Sequence, residues 1–167
     1  MTDDLASLFA FNRWADARIL EACRAVPADR YAAEVVPGWA SLGSTVAHIA
    51  GATDLWTRRF LGQPSDGFVP ESDLPDVDAA ARLLASAHDE LDRLIAGLSP
   101  DELAGPFTYT NIRGQVATLP LWAALRHVVN HETYHRGQVA AKLKRLGVEP
   151  PATDLAAWAI EQAGGLR

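Results

Sequence analysis

Residues 120–147, PLWAALRHVVNHETYHRGQVAAKLKRLG, read as one helix. At 1.5 Å per residue it spans roughly 40 Å, so it must form the spine of a small domain. Thr118 is a suitable N-cap, Pro120 suits the first turn, Lys142, Lys144 and Arg145 fill the last turn, and Gly147 can stop it. On a wheel of about 100° per residue, Leu121, Leu125, Val128, Val139, Leu143 and Leu146 share one arc, the expected core face.

Three histidines, His127, His131 and His135, stand four residues apart along this helix. From the middle of the apolar arc His135 lies about 50° away, His131 about 90° and His127 about 130°. Imidazoles at i and i+4 can hold one metal at about 2.0–2.1 Å, whereas the outer two of three are separated by roughly 12 Å along the axis. His131 and His135 border the buried face and are the favoured pair. The plainer alternative makes all three boundary residues of an amphipathic helix.

The run His131-Glu132-Thr133-Tyr134-His135 fits H-E-x-x-H, the zinc metallopeptidase pattern in which Glu is the general base. The extended metzincin pattern fails at Gly137 and Gln138. Glu149 or Glu161 could supply a further ligand, but a peptidase usually offers a sheet edge to its substrate, and this chain offers only one small hairpin. Glu132 falls near the middle of the apolar arc, where an unpaired carboxylate is costly. Either it pairs with Arg136 and snorkels out, or it serves a metal site by taking a proton from bound water or orienting a ligand.

The rest of the chain supplies partners for this spine. A first helix is expected over residues 2–26, with Asp3 and Asp4 at its start, Leu5, Leu8, Phe9, Ile19 and Leu20 inward, and Pro27 ending it. Phe11 and Trp14 widen its apolar surface, which implies a partner subunit, a covered cleft or a cover from the C-terminal helix. Pro37-Gly38-Trp39 is turn-like. A second helix starts at Ser41 or Ser44 and runs to Leu61, with Leu42, Val46, Ile49, Thr53, Trp56 and Phe60 on its core arc. His48 lies roughly 120° from that arc, beside Thr45, Ala52 and Leu55. Residues 62–75 form a polar connection long enough to cover one mouth of a bundle.

A third helix is expected over 77–96, with Leu83, Leu84, Ala87, Leu91, Leu94 and Ile95 inward and His88 solvated beside Asp89 and Glu90. Ser99-Pro100-Asp101-Glu102 reads as a capped helical turn, 107–118 as a hairpin around Asn111-Ile112-Arg113-Gly114, and 154–163 as a terminal helix capped by Thr153. The architecture is therefore all-α: a four-helix bundle with a short β-hairpin and an additional C-terminal helix, one domain over 1–167.

Composition narrows the function classes. The net charge of −6, with no basic cluster beyond the 142–145 helix end, argues against nucleic acid. No apolar run reaches membrane-spanning length, and the acidic, amphipathic start does not read as a signal peptide, so the cytoplasm is the expected location. The single Cys23 sits among Ile19, Leu20 and Val26 and reads as core packing.

The opening Phe9-Ala-Phe-Asn-Arg-Trp-Ala15, His48 on the second helix, and N-H-E-T-Y-H-R-G-Q from Asn130 to Gln138 resemble the DinB family, the DNA-damage-inducible group of small metal-binding bundles. The resemblance spans nearly the whole chain. It implies a four-helix bundle, usually a homodimer, with one divalent ion held by three histidines, which fall here on His48, His131 and His135. Three protein ligands leave positions open for water or substrate. Some relatives are thiol-dependent transferases or isomerases in which the metal holds a low-molecular-weight thiol as thiolate, with an electrophilic substrate as partner. That suggests a metal-dependent, thiol-using transferase or isomerase, with Glu132 and Tyr134 as candidate catalytic residues. The alternative is a stress or structural dimer that binds metal without turnover. Zinc or nickel suits three imidazoles best; iron, copper and manganese stay open.

Overall fold

The computed structural model describes residues 2–36 and 40–165, so the turn expected at Pro37-Gly38-Trp39 lies outside the described residues. Helix α1, Thr2–Arg24, carries Asp3 and Asp4 in its first turn and Arg24 in its last. It ends two residues before the expected Val26. Val26 precedes Pro27 and is pushed away from helical geometry, and the amides of Ala25 and Val26 close tight turns onto Ala22 and Cys23. Pro27 also opens a short helix α2, Ala28–Ala32, that the sequence reading missed by treating this proline only as a terminator. Its Tyr31 packs so closely on Gly43 that a Cβ there would lie 2.7 Å from the ring.

Helix α3, Leu42–Phe60, is capped by Ser41, whose Oγ accepts the Ser44 amide at 2.9 Å. Helix α4, Val77–Gly97, is capped by Asp76, and α5, Pro100–Ala104, by a complete Ser99–Glu102 capping box. Strands β1, Pro106–Thr110, and β2, Val116–Pro120, pair antiparallel with Phe107 opposite Leu119. At their turn Asn111 Oδ1 accepts the Arg113 and Gln115 amides. Thr118 belongs to β2, bonded to Thr108, and does not cap the next helix; Pro120 takes that position without a side-chain bond. Helix α6, Leu121–Arg145, stops at Gly147, where φ of 82° lets the Gly147 and Val148 amides bond back to Lys144 and Leu143. Helix α7, Leu155–Gln162, follows; Asp154, not Thr153, holds its N-cap position.

α1 and α3 are diagonal in the bundle, each packed between α4 and α6. Two apolar clusters fill the interior. One gathers Ile19, Leu20, Val46, Ile49, Leu84, Val139 and Leu143; the other gathers Leu5, Phe9, Phe11, Trp56, Leu91, Ile95, Leu125 and Val128. The numbers rise from the second cluster to the first along α1 and α6, and the opposite way along α3 and α4. The first pair therefore runs one way and the second pair the other.

This directionality explains the long α3–α4 connection. α3 ends at one end of the bundle and α4 begins at the other, so residues 61–76 return along the flank and do not cover a mouth. Arg58 holds the segment, donating to the Pro64 and Gly67 carbonyls at 2.7 and 2.8 Å while Asp54 fixes its Nε. Phe68 comes to rest 5.8 Å from the His48 ring, centre to centre.

α7 settles the position of Phe11. Trp158 lies edge-on to it at 6.2 Å, Phe11 is buried, and Trp14 Nε1 donates to Glu161. The C-terminal helix thus covers Phe11 within one chain and leaves Trp14 half-buried. Cys23 is buried in the core, where desolvation pushes its thiol up to about 12. Among the described residues, no helix is long and apolar enough to cross a membrane.

Candidate metal centre and the polar layer behind it

α6 presents two rows of side chains, one residue apart. His131 and His135 face the seam with α3, half-buried; Glu132 and Arg136 face the interior and are buried. A step of about 100° separates consecutive helical residues, so adjacent positions meet different surroundings.

The outer row meets His48. Its Nε2 lies 3.3 Å from His131 Nε2, and the His135 ring centre is 4.5 Å from that of His48 and 4.4 Å from that of His131. One ligand atom from each of the three falls within 4.8 Å of the other two. A tetrahedral ion with bonds of about 2.0–2.1 Å places neighbouring ligand atoms about 3.3–3.4 Å apart, so this spacing suits an ion between them. His135 Nδ1 lies 2.9 Å from Gln138 Oε1. An amide oxygen only accepts, so Nδ1 carries the hydrogen and Nε2 keeps its lone pair. Burial lowers the proton affinity of His48, with His135 adding to the effect. Burial lowers that of His131 to about 4, reinforced by His135, His48 and His127. Both rings are then neutral at pH 7, the form that binds metal.

His127 stays out of this group. It is exposed, one side of its ring against Trp56 at 5.0 Å and 5.8 Å from His131. Tyr134 is also exposed and stands edge-on to His135 at 5.0 Å. A cleft of about 320 Å³ opens beside His48, walled by Ser44, Gly51, Phe68 and Glu71.

The inner row belongs to a polar layer between the two apolar clusters, built by all four bundle helices. Asn12 donates Nδ2 to Glu132 Oε2 at 2.7 Å and accepts from Arg136 Nη1 at 2.7 Å. Arg136 also donates to Asp16 at 2.8 Å and to Thr133 at 2.7 Å. Thr53 Oγ1 sits 2.8 Å from Glu132 Oε1. Glu132 does pair with Arg136, at 3.8 Å, but neither snorkels out; they are 0% and 2% exposed. His88 is not solvated as expected. It is 4% exposed, its Nε2 3.4 Å from Asp16 Oδ2 and 3.7 Å from Glu132 Oε2. Its charged neighbours Asp89 and Glu90 point elsewhere, whereas Leu84, Leu91 and Ile95 at i−4, i+3 and i+7 share its face, a spacing that could have revealed it. Asn12, Asp16 and Gln138 received no role in the sequence reading.

Comparison with known proteins agrees with this architecture. The chain matches the DinB family over residues 1–163. It is 26% identical over 164 residues to Protein DinB of Bacillus subtilis (strain 168), covering 92% of each chain. Its fold is similar to that of a DinB-like protein from Bacillus subtilis, with a TM-score of 0.64 at 15% identity, covering 90% of this chain and 98% of that one. A DinB-like protein from Bacillus cereus ATCC 10987 gives 0.63 at 16% identity, with 83% and 89% covered. From its sequence match across both ends of the bundle, the chain belongs to the DinB family.

Proposed function

We propose that the protein is a divalent-metal enzyme whose ion is held by His48, His131 and His135, acting as a transferase or isomerase that uses a small thiol. The observation that carries this reading is the 3.3 Å approach of two imidazole nitrogens from facing helices, with a third imidazole beside them. When bound, the ion supplies Lewis acidity at positions the three ligands leave open. Zinc or nickel fits the all-imidazole donor set first.

The chain's own residues then have distinct tasks. Gln138 fixes the His135 tautomer, and burial keeps His48 and His131 unprotonated. Phe68 shields the His48 side from water, leaving the adjoining cleft as the place for a small ligand. Glu132, bonded to Asn12 and next to Thr53, holds the register of α6. Tyr134 stands at the rim beside His135, available to an incoming substrate. The reading extends to a cytoplasmic homodimer; sedimentation showing only an 18.0 kDa species at micromolar concentration would contradict that part.

The test is cobalt substitution followed by titration with 2-mercaptoethanol, cysteine and glutathione. A thiolate charge-transfer band that disappears in His48→Ala, His131→Ala and His135→Ala supports the reading. Cobalt bound at the triad with no response to any thiol favours the non-catalytic alternative, and a cobalt stoichiometry that stays at the wild-type value in all three variants refutes the ligand set.

A further inference from the structure

Besides Arg136 Nε, two groups in the polar layer are left without hydrogen-bond partners: Asp16 Oδ2 and His88 Nε2, on side chains 3% and 4% exposed. They face each other across 3.4 Å, with Glu132 Oε2 3.7 Å from His88 Nε2. Buried polar atoms without partners are rare in native proteins and costly, so the pair points to a bound group that these atoms would hold. We propose that Asp16, His88 and Glu132 form a second cation site, at the centre of the bundle and separate from the three-histidine group.

Three lines support it. The first is spacing. The donor atoms all lie within 4.8 Å of one another, and the 3.4 and 3.7 Å separations are close to the roughly 3.3 Å between ligand atoms around an ion with bonds near 2.0 Å. The second is orientation. Arg136 holds the other Asp16 oxygen and Asn12 steadies Glu132, so both carboxyl groups are fixed with an oxygen turned toward His88. Such outer contacts are what a metal site uses to hold its ligands in place. The third is charge. Two buried carboxyl groups face one guanidinium, which leaves room for one further positive species. Burial first, then Glu132, raises the Asp16 carboxyl well above its ordinary range.

One nitrogen and two carboxylate oxygens suit a hard or borderline divalent ion such as manganese(II), iron(II) or zinc. This donor set differs from the all-imidazole triad. Access is available from a cleft of about 400 Å³ between α1 and α4, at whose wall Asp16 and His88 sit. A proton lodged between Asp16 and His88 is the competing occupant, and the experiment separates the two.

The probe is manganese(II), titrated into EDTA-stripped protein in which His48, His131 and His135 are all alanine, with free ion counted by its paramagnetic resonance signal. About one ion per chain is expected, with affinity falling at least tenfold in that background on Asp16→Asn or His88→Gln. A folded triple variant, checked by circular dichroism, that binds no manganese overturns the proposal and assigns the gap to a proton. Unchanged binding in both single variants overturns it as well. The wild-type chain gives an independent reading: it should bind two ions, dropping to one on His88→Gln. A stoichiometry of one that ignores His88→Gln refutes the second site. Failure of the thiol titration above leaves this result untouched, because the two sites share no residue.

Discussion

The two rows of α6 differ by one residue in sequence and by nearly everything in environment. His131 and His135 look onto a seam with α3, beside a cleft, and use almost no hydrogen bonds to the protein apart from that between His135 and Gln138. Glu132 and Arg136 look into the layer between two apolar clusters and are tied to Asn12, Asp16, Thr53 and Thr133. The outer row has free donor atoms and little structural burden; the inner row carries charge that the fold must neutralise. Function placed at a half-buried seam can vary cheaply, whereas a buried charged layer fixes how the helices meet.

The comparison breaks most readily at Arg136. Arg136→Met leaves Asp16 and Glu132 buried without their guanidinium and should cost about 3–5 kcal/mol of stability. His131→Ala in metal-free protein should cost less than about 1 kcal/mol. Urea denaturation of both variants measures the gap, and comparable losses would mean the two rows do not divide the work in this way.

A second, smaller effect concerns the one outward tie of the histidine row. Gln138→Ala frees the His135 ring to rotate and exchange tautomers, and should weaken metal binding about 10–100-fold while leaving unfolding of the stripped protein nearly unchanged. Competition against a chromogenic chelator reads the affinity.

The rows should also respond to pH in opposite directions. His131 is lowered to about 4 in the folded chain against an ordinary 6.5. As pH falls through that window the unfolded chain takes up a proton the folded one refuses, so stability declines toward acid. Asp16 is raised from 3.8, so its contribution is complete below 3.8 and lost as pH rises through its folded value. In EDTA, His131→Ala should flatten the acid-side loss, on the order of 1 kcal/mol after solvent screening, and Asp16→Asn should flatten the other limb. Denaturation midpoints from pH 4 to 8 would show it. Smallest of all, His127→Ala should change metal affinity less than about threefold, because its ring sits against Trp56 outside the triad. Dialysis against a weak chelator checks this, and a site emptied by His127→Ala but not by His135→Ala would reassign the ligand pair to His127 and His131.

How far these features could be read in advance depended on the distance over which they are encoded. The i,i+4 histidines, the Ser99 capping box and the Asn111–Gly114 turn are local, and their residues announce them. His48 is 83 residues from His131, so their meeting was available only through family resemblance. The polar layer was hidden for a different reason. Thr53 and Glu132 are legible on the core arcs of their helices, but Asn12, Asp16 and His88 read as polar surface residues unless the other helices are considered at once. Thr118 failed as a cap because β2 claimed its backbone first, and tertiary pairing overrides a local preference.

The Arg58-held return segment has a consequence for how such a protein can diversify. Phe68 and Glu71 wall the cleft beside His48, yet they belong to a surface strip crossing the outside of α3 and not to any bundle helix. Two bonds from one arginine side chain, itself fixed by Asp54 on α3, hold that strip. Substitutions or small insertions between Pro64 and Pro75 can therefore reshape which molecules approach His48 while the helices behind it keep their sequence. Descendants of this chain could acquire new ligand preferences by changing about a dozen surface residues, with the ion-binding helices inherited intact.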